Sequence, residues 1–226
     1  MIKEWWTEET TKLKGLSPAK RVKYIWQYYK LWIIGILALI YLTVFLIVRI
    51  SNNVPDCRLY VVYANTMADV GNESEFWQAF VDAQGYDLRE ARVEFDAQSY
   101  FDYTKNQARG NSYYNAFIGL ADAGMIDIIT MECDSIKALG QCGRLIDLRS
   151  DLTASLYEAY ADRLLYYEPE GGEPIPVGFD VSDSILITKY HIYPDSCGLA
   201  IITETNNIED IAVFLSYILQ EQKGNE

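Results

Sequence analysis

Residues 31–48 read LWIIGILALIYLTVFLIV, an apolar run of eighteen residues without a charged side chain. As an α-helix, this run would extend roughly 27 Å, close to the hydrocarbon thickness of a bilayer. A buried core helix would normally carry a polar stripe, which Tyr41 and Thr43 do not provide. A cleaved signal sequence has an apolar run of about 7–15 residues and a small-residue cleavage site, whereas residues 49–53 read RISNN. We therefore predict one transmembrane span that stays in the mature chain.

The charges on the two sides of this run predict its orientation. Residues 1–50 carry eight Lys or Arg and three Asp or Glu, a net charge of +5, so the total of −13 leaves −18 for residues 51–226. Cytoplasmic flanks of membrane helices are enriched in Lys and Arg. We therefore expect the N-terminus in the cytoplasm and the acidic part outside the cell membrane.

Four segments follow from this orientation. Ser17-Pro18 is a typical helix start, and Trp26, Tyr28 and Trp32 lie where aromatic rings prefer the headgroup layer. The remainder is long enough for one ordinary domain. The segments are a cytoplasmic tail at 1–16, the transmembrane helix with its basic, aromatic-rich start at 17–50, a linker at 51–58 and an extracytoplasmic domain at 59–226.

The acidic balance of the domain limits its partners. Nucleic acid is excluded, because a phosphate backbone requires a basic surface. A cationic ligand or bound calcium would suit the charge, and a solvated acidic surface explains it more simply. The expected partners are the lipid bilayer through residues 31–48 and either a small solute or another envelope protein.

The cysteines are Cys57, Cys133, Cys142 and Cys197, all in the part predicted to be extracytoplasmic. An even number in an oxidising compartment permits two disulfides, with three possible connectivities. Buried free thiols are the alternative, because Cys packs as a small hydrophobe. The sequence holds no C-x-x-C pair, and we predict neither a metal nor a cofactor.

The hydrophobic pattern of the domain switches between strand and helix periods, which is typical of an α/β fold with helices on both faces of a mostly parallel sheet. Asn72 and Glu75 resemble a capping box, and Asn207 should cap the last helix. Strands are predicted at 59–63, 92–98, 126–131 (the central strand), 177–181, 185–188 and 199–203. Helices are predicted at 72–85, 100–123 with a break near 110–112, 136–139, 152–165 and 207–219.

Residues 121–129, ADAGMIDII, and residues 143–148, GRLIDL, resemble the first lobe of the extracellular solute-binding proteins that feed ABC importers. The segment 174–177, PIPV, resembles the crossover segment of that family, and the last helix resembles its returning C-terminal helix. The resemblance implies a single three-layer α/β lobe like one lobe of a periplasmic binding protein. A second lobe does not fit between the crossover-like segment and the last strand.

No sequence motif indicates an enzyme. The chain has one histidine, His191, and lacks G-x-S-x-G, P-loop, H-E-x-x-H and EF-hand patterns. Loops at the carboxyl ends of strands are where open α/β sheets bind ligands. For a small-molecule site we therefore select residues in or beside such loops: Asn65, Met67, Glu132, Asp134, Asp180 and Ser182.

The sequence leaves two function classes open. The first is a non-catalytic, single-pass binding or interaction module of the bacterial cell envelope, carrying a solute-binding-like lobe. The second is a structural or accessory subunit of a membrane protein complex without a small-molecule ligand. An acid/base or metal role for the carboxylates of Glu132, Asp134, Asp180 and Asp183 would require that these side chains converge in space.

Overall fold

The computed structural model describes residues 17–51, 55–103 and 110–219. Contacts divide the chain into two units, Met1–Val54 and Pro55–Glu226. The predicted cytoplasmic tail and residues 52–54 of the predicted linker lie outside the described residues.

The N-terminal unit contains one long helix, α1 (Pro18–Ser51), which begins at the expected proline. Within this helix, the 24 residues Trp26–Arg49 have a mean hydropathy of 2.8 and are not buried by the rest of the protein. By length and composition this helix can cross a membrane, and a signal sequence near the N-terminus meets the same two criteria.

The second unit is built on a mixed six-stranded sheet with the order β2-β1-β3-β6-β5-β4. The pairings β1–β2 and β1–β3 are parallel, whereas β3–β6, β6–β5 and β5–β4 are antiparallel. The expectation of a mostly parallel sheet is therefore wrong, because the second half of the chain adds its three strands in antiparallel pairings. The strands are β1 (Asp56–Tyr63), β2 (Ala91–Asp96), β3 (Ile128–Met131), β4 (Leu164–Tyr167), β5 (Ile175–Asp180) and β6 (Gly198–Ile201).

The two apolar runs predicted as strands at 59–63 and 126–131 are neighbours in this sheet. Val61 pairs with Ile128 and Val62 with Ile129 in parallel register. All four side chains are buried, with Val61 and Ile128 on one face and Val62 and Ile129 on the other. Strands covered on both faces do not alternate with polar residues, which explains their continuous apolar sequence.

Helices cover both faces of the sheet. Phe76 and Phe80 of α2 (Glu75–Gln84) and Phe214 of α7 (Ile208–Leu219) pack on the first face. Phe117 of α3 (Ser112–Asp122) and Ile136 of α4 (Cys133–Leu139) pack on the second. The shorter helices α5 (Ala154–Ala159) and α6 (Ile185–Thr188) also contribute to the first face.

Several predicted boundaries are wrong for local reasons. The linker is shorter than predicted, because β1 already begins at Asp56. Ser74 rather than Asn72 caps α2, since its hydroxyl accepts a bond from the Trp77 amide (3.1 Å), while the Asn72 side chain accepts one from the Phe95 amide (2.7 Å).

The remaining errors concern short apolar segments. Residues 185–188 form helix α6 instead of a strand, because four apolar residues fit either period. The predicted helix at 152–165 divides into α5, a 3₁₀ turn at Ala161–Arg163 and the start of β4. Of the predicted helix at 100–123, residues 100–103 are not helical and Ser112–Asp122 form α3, while residues 104–109 lie outside the described part of the chain.

The buried carboxylate of Asp127 connects the start of β3 to two other elements. Its Oδ2 accepts a bond from the Tyr60 amide of β1 (2.7 Å), and its Oδ1 accepts bonds from Thr205 Oγ1 (2.5 Å) and Asn207 Nδ2 (3.1 Å) before α7. The residue is only 2% exposed. Burial raises the pKa of Asp127 above the ordinary aspartate value, and the three donated bonds oppose that rise.

Asp127 should therefore make the free energy of unfolding pH-dependent. The pKa of Asp127 is higher in the folded chain than in the unfolded chain. In the pH window between the ordinary pKa of 3.8 and the raised pKa, the folded state therefore binds more protons than the unfolded state. The protonated Asp127 side chain therefore adds to the free energy of unfolding at pH values below this window. That contribution is lost as the pH rises through the window. In Asp127→Asn this contribution should disappear when urea unfolding is measured across the window. The exposed-site control Asp151→Asn should keep the wild-type pH profile, and an unchanged profile in Asp127→Asn would contradict the assignment.

Candidate functional site

An open cleft of about 880 Å³ lies at one edge of the sheet. Its lining comes from the loop after β1, from the start of α4 after β3, from the connection between α6 and β6, and from Asp102. The lining residues are Asn65, Met67, Ala68, Asp69, Asp102, Glu132, Ser135, Tyr190, His191, Ile192, Tyr193 and Pro194.

The connectivity of the sheet explains why a cleft forms there. Strand β1 lies between β2 and β3, and its carboxyl end points the same way as theirs. Helix α2 follows β1 and packs on one face of the sheet, whereas α4 follows β3 and packs on the other. Loops that leave neighbouring strands toward opposite faces open a crevice, which is where open α/β sheets bind ligands. Because β6 is antiparallel to β3, the segment that precedes β6 closes the same edge.

Tyr193 fixes that segment to the sheet. Its hydroxyl oxygen lies 2.9 Å from the Ala64 carbonyl oxygen and 2.8 Å from the Thr130 carbonyl oxygen. Thr130 Oγ1 lies 3.1 Å from the same hydroxyl and can donate to it. Burial raises the pKa of Tyr193 well above the ordinary tyrosine value, so the hydroxyl keeps its proton and remains a donor.

Two further contacts hold the cleft. Thr66 Oγ1 donates to the Ile192 carbonyl oxygen (2.7 Å) and joins the loop after β1 to the segment before β6. The Asn65 side chain donates to the Phe101 carbonyl oxygen (2.7 Å) and accepts from the Phe101 amide (2.8 Å). Asn65 has φ of 62°, a left-handed conformation that asparagine tolerates better than most residues. The polar groups nearest the sheet therefore support the backbone.

The remaining polar groups make the cleft acidic. Asp69, Asp102 and Glu132 line it, and no lysine or arginine is among its described lining residues. Asp69 and Glu132 are exposed, and neither side chain forms an ion pair or hydrogen bond with another residue in the described part of the chain. His191 is also exposed and has φ of 50°.

The acidic groups do not form a metal centre. Among the described residues, no three His, Cys, Asp or Glu side chains are placed so that they could hold one metal ion. The three carboxylates that line the cleft therefore do not converge as ligands of a single ion.

The structure places the six selected residues at one edge of the sheet, but only some line the cleft. Asn65, Met67 and Glu132 do. Asp134, Asp180 and Ser182 do not: Asp134 pairs with Lys137 on the outside of α4 (3.0 Å), and Ser182 bonds to Asp180 beyond the end of β5. Sequence alone places a residue at a strand end, whereas the order of the strands decides which ends are adjacent.

Four lining residues that the sequence did not select complete the acidic, aromatic character of the cleft. Asp69 belongs to the same strand-end loop as Asn65, so the rule that selected one could have selected the other. The segment before β6 lines the cleft only because β6 pairs antiparallel with β3. No local sequence pattern indicated that pairing. These residues are Asp69, Asp102, Tyr190 and Tyr193.

The four cysteines are free thiols in the structure. Burial raises the pKa of each of them, most strongly that of Cys197. Cys133 Sγ lies 3.8 Å from Ser182 Oγ, which accepts a bond from the Cys197 amide (3.0 Å). The thiols thus act as small buried or half-buried groups, and the permitted disulfides are not formed.

Comparison of the chain with models of protein families, with curated proteins and with solved structures finds no match. The function is therefore argued from the geometry of the cleft and from helix α1.

Proposed function

We propose that the chain is a single-pass, membrane-anchored binding module whose domain lies outside the cell membrane and holds a ligand in the cleft. The cleft itself carries this proposal. It lies at the carboxyl ends of β1 and β3, and its volume of about 880 Å³ is within the range of small-molecule sites.

The contacts within the cleft favour binding over catalysis. Three side chains donate hydrogen bonds to backbone carbonyl groups and so hold the walls in place: Tyr193, Thr66 and Asn65. His191 forms no hydrogen bond with a carboxylate in the described ranges, and general-base catalysis would need such an orienting partner or a nucleophile. A rigid site without an activated group suits a protein that binds its ligand unchanged.

The membrane anchor rests on α1 and on the distribution of charge. The helix has the length and composition of a span, its N-terminal side is basic, and the part after it is acidic. An N-terminus in the cytoplasm agrees with all three features.

The resemblance to one lobe of an extracellular solute-binding protein supports the same function. From β1 to α4 the elements alternate between strand and helix, and α7 returns to the sheet at the end of the chain. A single lobe has no second lobe to close over its ligand, so the proposed site stays open to solvent and to a protein partner.

The alternative, an accessory subunit that binds a membrane protein without a small ligand, is favoured by an apolar ridge beside the cleft. The ridge consists of Met67, Tyr100 and Tyr113. Met67 is 90% exposed, its sulfur lies 3.7 Å from the Tyr100 hydroxyl, and the Tyr100 and Tyr113 rings are in edge contact at 6.0 Å. Exposed apolar surface of this kind is common at protein contacts.

The orientation can be tested with a protease. Tags at the two ends of the chain should respond differently in intact cells stripped of their wall: the C-terminal tag should be lost, and the N-terminal tag should stay protected until the cells are lysed. Protection of the C-terminal tag before lysis would reverse the proposed orientation. Loss of α1 from the mature chain, measured by mass spectrometry, would remove the anchor.

Binding in the cleft can be tested by thermal shift. The full chain in detergent should be stabilised by at least one member of a panel of sugars, amino acids, peptides, polyamines and divalent ions, because a ligand that binds only the folded state raises the unfolding temperature. Ala68→Trp, which fills the cleft, should abolish the shift. Ala116→Trp, on the exposed side of α3, is the matched control and should leave it intact.

Two outcomes would contradict binding in the cleft. One is a shift that survives Ala68→Trp. The other is the absence of any shift, combined with a membrane protein that co-purifies with wild type and is lost when Tyr113→Ala alters the ridge; that pattern would establish the accessory-subunit alternative.

A further inference from the structure

The cleft combines carboxylates, tyrosine rings and an apolar rim, and none of its described lining residues is lysine or arginine. We propose that its ligand is an extended organic cation, with two or more amino or guanidinium groups separated by an apolar chain. This inference rests on the proposed function and specifies the ligand class of the same site.

The charge of the cleft is the first argument. Asp69 and Glu132 come from different loops, and each lacks an ion-pair partner within the described part of the chain. Two lysines that are close in sequence to lining residues already have contacts: Lys137 pairs with Asp134 (3.0 Å), and the Lys189 ammonium lies 5.0 Å from the centre of the Tyr190 ring. A cleft lined by one sign of charge raises the local concentration of the opposite ion.

The spacing of the charges is the second argument, and it separates an extended cation from a metal ion. Calcium takes six to eight oxygen ligands around one point, whereas no three metal-ligating side chains of the described residues converge in this way. The cleft is also far larger than one ion, at about 880 Å³. Carboxylates that do not converge on one ion can each pair with a different amino group of one long molecule.

The apolar lining is the third argument. Tyr190, Ile192, Tyr193 and Pro194 contribute to the lining, although Ile192 and Tyr193 are only 3% and 4% exposed, and Met67 has 90% of its surface exposed. Methylene groups between two cationic groups would bury apolar surface against these side chains. Tyrosine faces attract ammonium and guanidinium groups as well, as the position of Lys189 over Tyr190 illustrates. An inorganic cation would leave this surface unused.

The test is isothermal titration of the full chain in detergent with four probes: spermidine, calcium chloride, glucose and citrate. Spermidine should bind saturably, and the other three should not. Asp69→Asn and Glu132→Gln should each weaken spermidine binding about 10-fold, the loss expected for one hydrogen bond to a charged group. Asp134→Asn changes the net charge by the same amount next to Glu132 in sequence but outside the cleft, so it should leave the affinity unchanged.

Each other outcome is decisive. Equal weakening by all three substitutions would show that spermidine responds to the overall charge of the domain, and it would overturn the inference. Calcium binding that is lost in Glu132→Gln would replace the extended cation with a metal ion. Binding of glucose or citrate that is lost in Ala68→Trp, without spermidine binding, would overturn the ligand class and leave the proposed function standing. Spermidine binding that is unaffected by Ala68→Trp would overturn both.

Discussion

The hydroxyl of Tyr193 fixes the position of a segment that has no regular secondary structure. Because this segment precedes an antiparallel strand, it reaches the carboxyl ends of β1 and β3 without belonging to either. Its attachment depends on the contacts of Tyr193 with the carbonyl oxygens of Ala64 and Thr130, together with the bond from Thr66 to Ile192. Each such bond contributes only about 1 kcal/mol net, but leaving one of these buried groups unpaired would cost more. The cleft is therefore present before any ligand arrives.

A preformed cleft has consequences for binding. Ordering a loop around a ligand costs conformational entropy, and walls that are already ordered avoid that cost. The polar groups that order the walls are no longer available to a ligand, which leaves the exposed carboxylates and the tyrosine faces as the groups that can recognise one. The binding site that we propose would discriminate between ligands by charge and shape.

The sequence predicted those parts of the fold that local patterns determine. The continuous apolar runs identified β1 and β3 as strands, alternation identified β2, and the amphipathic pattern identified α7. Short apolar segments were assigned less well, since the four residues of α6 fit either period and β4 follows α5 with only a 3₁₀ turn between them. The antiparallel half of the sheet depends on pairings between distant residues, which no window of sequence contains.

The same distinction applies to the site. The rule that loops at strand ends bind ligands selected Asn65, Met67 and Glu132, which line the cleft, because those loops follow the two adjacent parallel strands. It also selected Asp180, at the end of β5, and Ser182, just after β5, and β6 separates that strand from β3. Tyr193 was not selected, because its importance comes from carbonyl groups more than sixty residues away in the sequence.

Amide hydrogen exchange of the unliganded chain tests most directly whether the cleft is preformed. The amides of Ala64, Tyr190 and Ile192 all donate within the structure, to the carbonyl oxygens of Thr130, Ile185 and Leu186. A preformed cleft predicts that residues 62–66 and 190–193 exchange slowly in the wild type, and that Tyr193→Phe accelerates exchange in both segments together. Fast exchange of 190–193 in the wild type, with 62–66 still protected, would show that this wall of the cleft is not held by Tyr193.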